Sequence, residues 1–273
     1  MSAEFSPAVG DALASWGGTV LVALWQEGRL SLEIKICGLS TAETLEAAIG
    51  AGADMVGVVF FAPSPRHVSL AAAAGLGAQA RGRAQIVALT VDADDATLDA
   101  LVDALRPDML QLHGRETPAR VCAVRARFGL PVMKALGIAA REDLAALAAY
   151  EAVADRLLLD AKPPKGAALP GGNGVVFDWR LLSGLSLSTP YLLSGGLDPE
   201  NVARAVEFIR PPGVDVSSGV ERGPGIKDPA RIDAFLRAAR AAAAEGRTRR
   251  PAATAPAGNM PMPPSCARET SPS

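Results

Sequence analysis

Two side chains and two glycine-rich loops in this chain combine a reactive type with a telling position. Cys37 closes the apolar run EIKIC (33–37), and Asp160 closes a second run, RLLLD (156–160). A thiol and a carboxyl placed where short apolar segments end can work as a base and an acid, because each exchanges one proton and is tuned by its surroundings. A free thiol with a pKa of ~8.5 is only a few per cent ionised at neutral pH. Lys35, two residues earlier on the same strand face, would lower that value if it points inward. A partly buried Asp160 would hold its proton near neutrality. The plain alternatives are a buried structural cysteine and a capping or loop aspartate. Capping is the weaker account, because the loop AKPPKGAALPGGNG follows Asp160 instead of a helix. That stretch, within 161–176, is a candidate lid.

The loops are SGG (194–196) and SSG (217–219), each following an apolar run. Backbone N–H groups exposed by glycine bind phosphate, so Gly195, Gly196, Ser218 and Gly219 are the expected donors, unless the glycines only shape turns. Three side chains could complete a site. Arg66 suits a carboxylate or a surface ion pair. His113 either lines a pocket or braces a neighbouring loop. Asp178 either holds a substrate amine or caps the short helix after it.

Several classes of function are disfavoured. The three cysteines, Cys37, Cys122 and Cys266, are odd in number and widely spaced, with no disulfide framework, zinc spacing or CxxC redox pair. The default compartment is therefore a reducing cytoplasm. The two histidines have no HExxH spacing, so no catalytic metal is expected. A net charge of −2 offers no basic surface for nucleic acid. The run WGGTVLVALW (16–25) is too short to span a bilayer, and Glu4 and Asp11 precede it where a signal peptide would carry positive charge.

The elements that must position these groups alternate along the chain. Strands are expected at 33–37, 55–60, 85–90, 108–112, 131–136, 156–160, 190–194 and 213–217, each short and mostly apolar, as strands buried on both faces should be. Helices fill the gaps. Their start signals are a Ser40/Glu43 capping box and the pairs Thr117-Pro118, Asp198-Pro199 and Asp228-Pro229; Gly246 is the expected stop of the last helix. The sixth helix, FDWRLLSG (177–184), is the weakest. Eight strands alternating with eight helices predict an α/β fold, a (β/α)8 TIM barrel, whose chemistry sits at the C-terminal strand ends. The rival is a doubly wound open sheet, weakened by the lack of GxGxxG after the first strand. The barrel is expected over 33–245, after an N-terminal extension (1–32) and before a disordered Pro/Ala-rich tail (246–273) that includes Cys266.

In order, KICG, SPRHV, QLHG, LLLDAK, GGNGVVFDW, LSGGLDPENV and DVSSGVERGPGIKD resemble the phosphoribosylanthranilate isomerase family of tryptophan biosynthesis, from Glu33 to about the end of the last helix. The resemblance implies an Amadori rearrangement, aminoaldose to aminoketose, with Cys37 as base and Asp160 as acid. It places Arg66 on the anthranilate carboxylate; His113 and Asp178 stand beside it as candidate substrate contacts on their residue types alone. No metal or organic cofactor is implied, since the substrate's aniline nitrogen is the electron sink. The implied partner is a small phosphosugar, bound by a monomer or homodimer. The insert KGAALP departs from the tighter Gly-rich turn expected of the family. Other sugar-phosphate barrels (an indole-glycerol-phosphate synthase, a ribulose-phosphate epimerase, a histidine-pathway isomerase) would share the phosphate loops but not the Cys37/Asp160 pair. A non-catalytic phosphosugar-binding barrel is the alternative outside enzymes.

Overall fold

The eight apolar runs form eight parallel strands: β1 (Glu33–Cys37), β2 (Met55–Phe60), β3 (Gln85–Thr90), β4 (Met109–Leu112), β5 (Val132–Ile138), β6 (Arg156–Ala161), β7 (Tyr191–Leu193) and β8 (Gly213–Val216). Each pairs with its neighbour in sequence, and β8 returns to β1 with Ile34 opposite Val214 and Lys35 opposite Asp215, closing the barrel. The structure, a computed structural model, describes residues 31–162, 166, 171, 172, 174 and 177–248. Most of the expected N-terminal extension, Cys266 with nearly all of the tail, and most of the expected lid lie outside these residues.

Period-2 alternation sorts the side chains. Ile34, Ile36, Val56, Val58, Ile86, Leu110, Leu157 and Leu159 belong to the large buried cluster shared with the helices. Met55, Val87, Met109, Met133, Ala135, Leu158 and Leu192 form a separate buried cluster. Residues on the same strand faces as this second cluster include Lys35, Cys37, Gln111 and Asp160, which carries polar groups toward the C-terminal strand ends.

Six helices follow in chain order: α1 (Ala42–Gly50), α2 (Leu70–Ala80), α3 (Asp95–Leu105), α4 (Pro118–Phe128), α5 (Leu147–Glu151) and α6 (Val202–Ile209), and α7 (Pro229–Thr248) closes the series. The Thr117 and Asp228 caps form as expected. Two others differ. Thr41 caps α1 in place of Ser40, its hydroxyl accepting from the Thr44 N–H, because the helix begins one residue later than the Ser40/Glu43 spacing implies. Asp198 instead accepts from the N–H groups of Glu200 and Asn201 in a turn before α6, whose cap position is Asn201. The fifth connection opens with a 3-10 turn (Arg141–Ala146) before α5, and the sixth holds only a 3-10 turn (Trp179–Leu182). Helix α7 runs past Gly246, which lacks the positive φ of a left-handed stop.

After β8 and a short 3-10 turn (Ser218–Val220), the chain makes an antiparallel hairpin, β9 (Glu221–Gly223) and β10 (Ile226–Lys227). Gly225 has φ +76° and sits so near the β2–α2 loop that a Cβ there would lie 2.4 Å from the Pro65 carbonyl oxygen. The hairpin thus docks beside Arg66.

Candidate active site

Cys37 ends β1 almost fully buried. Gly57 on β2 lies beside it, so close that a Cβ would come within 2.9 Å of Cys37 Sγ and 3.2 Å of Lys35 Nζ. Lys35 points inward and is fully buried, with Nζ 2.7 Å from Asp215 Oδ1; Ser194 Oγ donates to Asp215 Oδ2 at 3.1 Å. Burial pushes the Cys37 thiol up from its ordinary value. The Lys35 charge, and more weakly that of Lys227, pulls the other way without cancelling it. Lys35 therefore opposes the rise, but the net shift is upward. Burial also works against the Lys35 ammonium, and Asp215 and Cys37 outweigh it, holding the lysine above its ordinary value. The thiol is thus a minority base at neutral pH, and a strong one once ionised.

Asp160 ends the inward-facing series of β6. Its Oδ1 accepts from the Ala161 N–H at 2.9 Å, and its Oδ2 is 3.2 Å from His113 Nε2. The other ring nitrogen of His113 is 2.9 Å from Gln111 Nε2. Gly171 covers this pair, for a Cβ there would be 2.5 Å from His113 Nε2 and 2.7 Å from Asp160 Oδ2. The loop carrying His113 is held from outside the barrel. Buried Lys134 on β5 donates to the carbonyls of Leu112 and Gly114 and pairs with Glu116 at 3.0 Å.

Arg66 is buried, and its stem crosses Gly38, where a Cβ would be 2.6 Å from Arg66 Cδ. Its guanidinium forms a two-point pair with Glu221, Nε to Oε1 at 2.8 Å and Nη2 to Oε2 at 2.9 Å. Lys227 Nζ donates to the same carboxylate at 2.7 Å and to the Ser217 carbonyl at 2.9 Å. Burial pushes the Glu221 carboxyl up, but Arg66 and Lys227 outweigh it and leave it below its ordinary value. Burial lowers the Lys227 amine, which Glu221 only partly offsets.

The two glycine loops meet at the mouth. Gly195 and Gly196 have φ of +85° and +63°, and a Cβ on Gly195 would lie 2.5 Å from the Ala161 nitrogen. Gly219 is tighter still, with the Leu197 carbonyl oxygen 1.9 Å from where its Cβ would be. Among the described residues, the N–H groups of Gly195, Gly196, Ser218 and Gly219 have no hydrogen-bond partner. They form a set of backbone donors suited to an anion.

One cavity joins these parts; Cys37, Arg66, His113, Asp160, Gly195, Gly196 and Ser218 all line it. Gly219 stands one position behind the lining. Asp178 is outside it: its carboxylate caps the 3-10 turn through the Arg180 N–H and pairs with the Arg180 side chain at 2.7 Å, on the exposed surface. Of its two expected roles, the structure places it in the cap. Sequence reasoning assigned no role to Gln111, Asp215, Ser194, Glu221 or Lys227. All but Ser194 belong to strands or a hairpin, and two of the contacts join distant segments: the Lys35–Asp215 pair spans 180 residues and the Arg66–Glu221 pair 155. Among the described residues no group of three or more His, Cys, Asp and Glu could hold a metal ion, and no helix is long and apolar enough to cross a membrane.

A thiol, a carboxyl and an array of backbone donors around one cavity at the C-terminal mouth of a (β/α)8 barrel define an enzyme of acid–base chemistry on a small anionic ligand. Residues 34–238 match the family model described as N-(5'-phosphoribosyl)anthranilate (PRA) isomerase. The chain belongs to that family. It is 63% identical over 212 residues to the N-(5'-phosphoribosyl)anthranilate isomerase of Rhodopseudomonas palustris strain BisA53, covering 78% of this chain and 97% of the relative. It is 62% identical over 213 residues to that of Nitrobacter winogradskyi, covering 78% and 95%. Its structure resembles the crystal structure of the Thermotoga maritima phosphoribosylanthranilate isomerase with TM-score 0.69 and 33% identity, covering 77% of this chain and 99% of that one. A second solved phosphoribosylanthranilate isomerase, in complex with reduced 1-(o-carboxyphenylamino)-1-deoxyribulose 5-phosphate, gives TM-score 0.67 at 30% identity, with coverage of 77% and 99%.

Proposed function

We infer that this chain converts N-(5-phosphoribosyl)anthranilate to 1-(2-carboxyphenylamino)-1-deoxyribulose 5-phosphate, a step of tryptophan biosynthesis. The observation that carries the reading is the single cavity shared by Cys37, Asp160 and the backbone donors of two glycine loops. Asp160 gives a proton to the ring oxygen, the ring opens, and the aniline nitrogen takes up the electron demand as an iminium. The Cys37 thiolate then removes the proton from the second sugar carbon, giving the enolamine that tautomerises to the ketone. The phosphate sits on the N–H groups of Gly195, Gly196, Ser218 and Gly219, and Arg66 faces the anthranilate carboxylate. His113 orients Asp160 through the contact at Oδ2. Asp178 has no part in substrate binding in this account.

The substrate is the only partner the reading requires; we propose a monomer or homodimer working in the cytoplasm, with the barrel of 33–245 as the catalytic unit and the segments outside it dispensable. The test is a fluorescence assay following loss of phosphoribosylanthranilate. Cys37→Ala and Asp160→Asn should each lower kcat by at least ~10²-fold, the usual contribution of one acid or base. Near-full turnover by either variant would remove that residue from the mechanism.

A further inference from the structure

We propose that Glu221 is a positioning residue that sets which edge of Arg66 reads the substrate carboxylate, and that the β9–β10 hairpin ties this reader to the phosphate loop. The proposal rests on the assignment of Arg66 to the carboxylate. A guanidinium has two edges able to grip a carboxylate at two points. In Arg66 the Nε/Nη2 edge is already taken by Glu221, at 2.8 and 2.9 Å, and the side chains of both residues are less than 10% exposed. The remaining Nη2 hydrogen faces the Gly172 carbonyl at 3.4 Å. Among the described residues Nη1 has no partner, and Arg66 lines the cavity. The end of the guanidinium carrying Nη1 is therefore what a ligand meets.

The same hairpin holds the other anion site. Lys227 donates to both Glu221 and Ser217, and Ser217 precedes the Ser218 and Gly219 donors. One buried chain of contacts thus runs from Arg66 through Glu221 and Lys227 to the phosphate loop. It fixes the separation of the two readers, which is a condition on the length of the ligand between its carboxylate and its phosphate. The charges facing Glu221 account for its state: Arg66 and Lys227 lie against it, with Cys37 and the Lys35–Asp215 pair farther along the cavity. Without the carboxylate, two buried cations would face each other, and Arg66 would lose the partner that orients it.

The experiment compares two stable ligands by calorimetry on the full chain: the borohydride-reduced product, and the same compound lacking the ring carboxylate. In Glu221→Gln the carboxylated ligand should bind ~10-fold or more weakly, as expected for a lost charge-assisted contact, and the des-carboxy ligand should change by less than about two-fold. KM should rise with kcat held within about three-fold. Glu221→Asp keeps the charge, should recover part of the loss, and serves the same comparison if Glu221→Gln does not fold. Equal weakening of both ligands would mark Glu221 as a structural residue only and overturn the proposal, as would an unchanged affinity for the carboxylated ligand. A wild-type protein that binds both ligands equally would overturn the assignment of Arg66 itself, and the proposal with it.

Discussion

Gly57 offers a sharp test of how the thiol is placed, because the residue does no chemistry of its own. It pairs with Cys37 across β1 and β2, and its missing side chain makes room for the thiol. The methyl of Gly57→Ala would lie 2.9 Å from Cys37 Sγ, 3.1 Å from Cys37 Cα and 3.2 Å from Lys35 Nζ. Carbon–heavy-atom contacts are comfortable at roughly 3.5–4.0 Å, so the overlap is about 0.5–1 Å on three sides. Cys37 Cα belongs to a strand paired on both edges and cannot retreat without loosening the barrel, which leaves Sγ and the Lys35 ammonium to move. Overpacking of this kind costs about 1–3 kcal/mol. A reacting atom displaced by about 1 Å lowers kcat by roughly 10²-fold. The assays are urea unfolding for the first effect and the substrate-loss fluorescence assay for the second. A variant with kcat within about three-fold of wild type and an unchanged urea midpoint would refute the view that the room beside Gly57 fixes the thiol.

Three further outcomes follow from the geometry. Alkylation of Cys37 by iodoacetamide, followed by peptide mass mapping, should be slower at neutral pH than for a free thiol. It should still be accelerating as pH rises beyond the ordinary thiol value, because a raised pKa leaves less thiolate at any given pH; a Cys37 as reactive as a free thiol at pH 7 would contradict the dominance of burial. Lys134→Met removes the cation paired with the buried Glu116 carboxylate and leaves it the N–H groups of Asp92 and Gly114, so it should destabilise the fold by about 3 kcal/mol in urea unfolding, and a loss below about 1 kcal/mol would show that those N–H groups or water suffice to hold the charge. Asp178→Asn should leave kcat and KM within about two-fold of wild type in steady-state assays, since the carboxylate faces Arg180 on the surface and not the cavity; a large rise in KM would bring Asp178 back into substrate binding.

The strands were legible in the sequence because a parallel barrel buries both faces, and a short apolar run bounded by polar residues has few other uses. All eight strands appear where the runs stand, with ends shifted by two residues at most. Helix starts were less legible. Ser40 and Thr41 are both competent caps in adjacent positions, and backbone geometry, absent from the sequence, chose Thr41. Asp198 formed its turn before α6 and not at its start, since a carboxylate bonds two N–H groups equally well in either setting. At the site, position at the ends of apolar runs singled out Cys37, Asp160 and the glycine loops as candidates, and the ordered motifs around them supplied their expected roles. Their supports could not. Lys35 with Asp215, and Arg66 with Glu221, join segments 180 and 155 residues apart, and only the closing of the barrel brings them together.

Lys134 carries a consequence for how this mouth can change. The backbone of the loop bearing His113 is anchored by an ammonium that reaches it from the outer side of β5, while the imidazole itself meets Gln111 and Asp160 inside the cavity. Remodelling the rim by exchanging loop residues therefore meets a fixed post at Leu112 and Gly114, while an altered residue in the layer between strands and helices could tilt the imidazole without touching the ligand. Selection acting on packing at that distance would be read out as a change in turnover.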